Sequence, residues 1–107
     1  MIIDAHNHPG WYGYNLAKFL ANMDANGIDL TWLQSWECPT GEWDPSDTAI
    51  LPEPREGGPI PFGLCVDFAE GAPGRFVLGF APDPRRADAL DSLKAARATW
   101  GYASAVN

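Results

Sequence analysis

Basic residues are scarce in this chain. Seven Lys and Arg stand against fourteen Asp and Glu, a formal charge of −7. Nucleic-acid binding rests on a basic surface that neutralises phosphates. An anionic membrane surface attracts the same groups. Neither partner is expected. Cysteine is almost as scarce, with only Cys38 and Cys65. Their separation fits no zinc or redox spacing, and two cysteines do not make a disulfide scaffold. No stretch approaches the roughly 20 apolar residues of a membrane span. The start carries Asp4 and no cationic segment ahead of a long apolar run, so no secretory signal is expected. A reducing, cytoplasmic setting is the expectation that follows. A glycine-rich phosphate loop is missing, and no Ser or Cys pairs with a histidine in a nucleophile signature. Internal repeats and low-complexity tracts are absent as well.

The chain has only two histidines, and both lie in its first ten residues, at His6 and His8. An apolar start precedes them and a Pro9-Gly10 turn signal follows. On a β-strand, residues i and i+2 point to the same face, so a strand over residues 1–8 aims both imidazoles into one space. Ile2, Asp4, His6 and His8 then share one face, and Ile3, Ala5 and Asn7 the other, toward covering helices. A divalent metal suits that arrangement, with neutral nitrogens about 2 Å from one ion. Asp4 is expected to orient the pair from behind. The Pro-Gly end places the histidines at the C-terminal tip of the strand, which is the functional face of parallel α/β folds.

The rest of the chain alternates. A helix is expected over residues 15–26. Leu16, Phe19, Leu20 and Met23 form one stripe, Asn15 is the N-cap, Gly27 ends it in the left-handed region and Ile28 touches Met23. Residues 29–36 read as a second strand buried on both faces, with Trp36 at the same end as His8. Residues 37–60 carry five prolines and six acids. They form a long irregular loop, read equally as a substrate lid carrying Trp43 or as a surface insertion. A short helix over 62–70 repeats Phe62, Cys65, Val66 and Ala69 at helical spacing, which makes Cys65 a packing residue. Residues 75–80 form a third strand. Asp83 is expected to cap the next helix, with Pro84 at its first position. That helix runs to Trp100, with Ala89, Leu93 and Ala96 along one side and Leu90 beside them. Residues 102–107 open a fourth strand. Alternation of this kind implies an α/β fold with parallel strands. A doubly wound sheet would give the same pattern.

The opening Asp4, Ala5, His6, Asn7, His8 resembles the first strand of the amidohydrolase superfamily, in its amidohydrolase-related branch. The segment from Pro61 and Phe62 through Arg75–Pro84 is similar to the second helix and third strand of that branch. The resemblance covers nearly the whole chain. It implies the N-terminal part of a (β/α)8 barrel, with 107 residues forming one partial domain of three to four βα units. A complete barrel takes about 250 residues. It further implies a metal-dependent hydrolase acting on a small molecule, or a metal-dependent decarboxylase, with a divalent ion that is usually zinc. His6 and His8 match the first two metal ligands. Relatives add histidines and an aspartate from later strands, and this chain has no third histidine. Glu37 and Asp83, at the ends of the second and third strands, are the remaining acids that could reach the mouth. A loop acid and a helix cap are their simpler roles. The catalytic residues stay unassigned. A non-catalytic remnant or interaction module is the competing expectation. Open sheet edges would then favour a homo-oligomer.

Overall fold

A computed structural model of the chain describes residues 1–39, 41–44 and 58–100. Six regular elements alternate along it: β1 (Ile3–Asn7), α1 (Leu16–Ala25), β2 (Leu30–Gln34), α2 (Phe62–Gly71), β3 (Phe76–Gly79) and α3 (Ala89–Trp100). The strands form one sheet in the order β1-β2-β3, and both pairings are parallel. All three strands therefore end at the same edge of the sheet. The chain is an α/β protein, as the alternation predicts. The expected fourth strand over 102–107 lies outside the described residues.

Each helix has a physical start and stop. The Asn15 side chain accepts from the Lys18 N–H at 2.9 Å, occupying one of the unpaired donors of the first turn of α1. At the other end, the Ile28 N–H reaches the Met23 carbonyl at 2.8 Å and the Gly27 N–H reaches Asp24. Gly27 takes φ 65°, so this is the six-to-one closure that a left-handed residue after a helix permits. Helix α3 starts later than expected. The Asp83 carbonyl accepts from the Arg86 N–H and the Arg86 carbonyl from the Ala89 N–H, so two turns replace the first helical residues. Asp83 does not cap α3, and Pro84 is not its first residue.

The register shows which face is covered. Thr31 lies opposite Phe76 and Leu33 opposite Leu78. Leu33 and Leu78 join Phe19 and Met23 of α1 and Cys65, Val66 and Phe68 of α2 in one buried cluster. Helices α1 and α2 therefore cover the face that carries Thr31, Leu33, Phe76 and Leu78. Phe19 stacks edge-on to both Phe68 and Phe76, at 5.8 and 5.6 Å between ring centres. Fully burying such a side chain contributes about 1.5–3 kcal/mol. Phe68 belongs to this core although the expected stripe passed over it.

The opposite face is open. Ile3 is 48% exposed, and Leu30, Trp32 and Val77 are only partly buried. Strand β2 is thus not buried on both faces, and Ile3 and Ala5 do not meet covering helices. They face away from α1 and α2. Helix α3 adds little cover, since Ala96 is its one buried residue among those described. At the N-terminal edge, Arg75 holds the strands together through Asp24 at 2.8 Å and the carbonyls of Ile28 and Asp29.

Candidate metal centre

Strand β1 is not regular, and its irregularity decides where the histidines point. Asp4 pairs with Thr31 and Asn7 with Leu33, so three steps along β1 match two along β2. One extra residue is accommodated as a bulge, which reverses the alternation of side chains beyond it. Asp4 and Asn7 therefore share the helix-covered face, and the Asn7 amide donates to the Asp4 carboxylate at 2.8 Å. Asp4 does not share a face with the histidines. Its other oxygen accepts from the backbone N–H of His6 at 3.3 Å, and the Asn7 side-chain oxygen accepts from the N–H of His8 at 2.9 Å. The carboxylate shapes the strand end through the backbone and leaves both imidazoles alone.

The two imidazoles converge. Their ring centres lie 5.2 Å apart, nearly perpendicular, at the C-terminal end of β1. His6 is exposed and His8 half-buried, the latter just past the last residue of the strand. The His8 Nδ1 lies 2.7 Å from the backbone carbonyl oxygen of Gln34, on β2. A carbonyl only accepts, so Nδ1 carries a proton, and in the neutral ring the lone pair then lies on Nε2. Gln34 thus plays the orienting part expected of Asp4. Burial pushes the His8 pKa below the ordinary histidine value. The Gln34 carbonyl opposes that shift and the neighbouring His6 adds to it. The shift favours the neutral imidazole, the form that ligates metals.

Aromatic side chains gather beside His8. Trp11 lies 5.2 Å from the His8 ring and 6.1 Å from Trp36, and Tyr12 stands edge-on to Trp11. Tyr12 takes φ 53°, a left-handed conformation that costs a non-glycine residue about 1–2 kcal/mol. A small cavity of about 140 Å³ opens beside His8, lined also by Asn7, Trp11, Tyr12 and Tyr14. The turn chemistry after Pro9-Gly10 marked a loop there, but nothing in the spacing of Trp11, Tyr12 and Tyr14 showed that they would gather at the histidines.

Glu37 and Asp83 follow β2 and β3 at the same edge, yet arginines occupy both. The Glu37 carboxylate accepts from Arg86 at 2.9 Å and from the Asp83 N–H at 3.1 Å. Asp83, its side chain 6% exposed, accepts from Arg85, which also clasps Glu42 with two bonds of 2.6 and 2.9 Å. Bonds from Arg85 hold the Asp83 and Glu42 carboxyls below the usual carboxylate range. Among the described residues, no group of three or more His, Cys, Asp or Glu is placed to hold a metal ion. Among the described residues, His6 and His8 could supply two ligands of a metal, and no third is placed beside them.

The loop after β2 is pinned at both ends. Trp36 and Ile60 exchange two backbone hydrogen bonds, and Trp43 packs against the core. The lid reading for residues 37–60 falls mostly outside the described residues. Cys65 is fully buried, and burial pushes its thiol up to about 12. It is a packing residue, as its spacing predicts. A larger cleft of about 360 Å³ lies between residues 81–87 and α3. Arg86, its one charged lining group, is already paired with Glu37 and Asp88. No helix among the described residues is long and apolar enough to cross a membrane. Comparison with protein-family models, curated proteins and solved structures finds no match to this chain.

Proposed function

We propose that His6 and His8 are metal ligands at the mouth of an amidohydrolase-like site, and that the chain serves a metal-dependent hydrolase acting on a small molecule. One observation carries this reading. Two imidazoles converge at the C-terminal edge of a parallel sheet, and the half-buried one has its Nδ1 engaged by the Gln34 carbonyl, which leaves Nε2 as the nitrogen available to a ligand. A structural role for His8 would not need its second nitrogen kept free and its ring beside another histidine. A divalent ion held there, zinc in most of the resembled branch, would supply an activated water or polarise a carbonyl or carboxylate.

The barrel reading is part of the same proposal. The strand order is sequential, both helices between the strands lie on one face, and the other face is left open with apolar side chains on it. Further parallel strands curling over that face would bury Ile3, Trp32 and Val77 as a barrel interior. Further ligands would come from those strands. Decarboxylation uses the same ligands and stays the alternative chemistry. Both cysteines are free, which suits a reducing cytoplasm.

Zinc titration by calorimetry tests the proposal, with His6→Ala and His8→Ala as controls and circular dichroism to confirm folding. Binding by the parent chain and its loss in both folded variants is the expected result. Failure of the parent chain to bind, or unchanged binding in the variants, would overturn it.

A further inference from the structure

We propose that one zinc ion joins two copies of this chain, each supplying His6 and His8. The inference rests on the reading of this pair as ligands, and not on hydrolysis. Zinc in closed protein sites takes four ligands in a tetrahedron. One copy offers two, and the described residues offer no group of three. A two-fold axis through the ion repeats the same surface on the partner and turns two imidazoles into four.

The surroundings suit a second copy. His6 is exposed and belongs to β1, an end strand of the described sheet, so a partner can approach its ring without displacing a neighbour. Aromatics lie beside His8, with Tyr12 59% and Trp36 39% exposed, both packed against the Trp11 that neighbours His8. Interfaces are enriched in such aromatics. Charge opposes association of the bare chains and gives the ion its part. Residues 1–53 carry eight acids against Lys18 alone, so two such halves repel each other. A doubly charged ion held between the imidazoles adds positive charge where the copies meet and offsets that repulsion. Four imidazoles leave no position for water, so the bridged pair is a closed form that cannot hydrolyse.

Sedimentation velocity and native mass spectrometry of the full chain, with zinc chloride as the probe, test this. The chain in EDTA should be a monomer. Half an equivalent of zinc should convert it to a dimer with the mass of two chains and one ion, and EDTA should reverse the change. Cobalt in place of zinc should give the intense visible bands of a tetrahedral site. His6→Ala, and His6→Gln as a milder replacement, should stay monomeric with unchanged circular dichroism. One zinc per monomer without dimerisation would overturn the bridge and leave the histidines as ligands. No zinc bound at all would overturn both readings. A dimer that persists in EDTA or in the folded His6 variants would show that zinc is not the joint.

Discussion

The His8 Nδ1 and the Gln34 backbone carbonyl oxygen lie 2.7 Å apart, joining the tip of β1 to the end of β2. A main-chain acceptor cannot lose its hydrogen-bonding character by mutation or titration, so the tautomer is set by the pairing of the strands themselves. Long-range proton–nitrogen NMR at neutral pH should show His8 with Nδ1 protonated and Nε2 bare. A dominant Nε2–H signal would remove the argument that this nitrogen is kept free for a ligand.

Gly58 is the tightest point in the described part of the loop after β2. It takes φ 121°, and a Cβ there would lie 2.9 Å from backbone atoms of Trp36, Glu37 and Cys38. Backbone cannot swing aside as a side chain can. Gly58→Ala should lower stability by about 2 kcal/mol or more, combining backbone strain with the clash. Urea unfolding measures it. A loss below about 0.5 kcal/mol, the range of ordinary surface changes, would mean the Trp36–Ile60 clasp is not held this closely in solution.

Acid should weaken the fold through Asp83. Its folded pKa lies below the ordinary 3.8 because Arg85 bonds the carboxylate, so the unfolded chain binds a proton more readily. The contribution is fully present above the unfolded value and is lost as pH falls through the folded one. Asp83→Asn should therefore be less stable than the parent at neutral pH, and the gap should narrow below about pH 4. A gap independent of pH would assign the loss to packing.

The two cysteines should differ in reactivity. Cys65 is fully buried with its thiol pushed up to about 12, whereas Cys38 is only partly buried. Alkylation of the native protein at mildly alkaline pH should modify Cys38 at least about tenfold faster, since attack needs an accessible thiolate. Labelling of Cys65 should track unfolding. Equal rates in native buffer would place Cys65 outside the core.

Much of the fold was legible in the chain. The Leu16, Phe19, Leu20, Met23 stripe and its Asn15 and Gly27 ends define α1, because caps and periodicity are local interactions that neighbouring residues satisfy. The alternation of elements implied parallel strands, and the spacing of Cys65 implied burial. His6 and His8 at a strand tip were legible for the same reason. Tertiary structure alone decided how that tip is built. The bulge between Asp4 and Asn7 exists only relative to β2, so no count along β1 shows it, and it moved Asp4 off the histidine face. The carbonyl that orients His8 is a main-chain group 26 residues away, and any residue type would offer it. Arg86 took Glu37 as a partner 49 residues away, and Arg85 joined its near neighbour Asp83 to Glu42, 43 residues away, so both acids at the strand ends are already paired. Local physics wrote the helices and strands; the site depended on pairings between segments, whose energies no single segment contains.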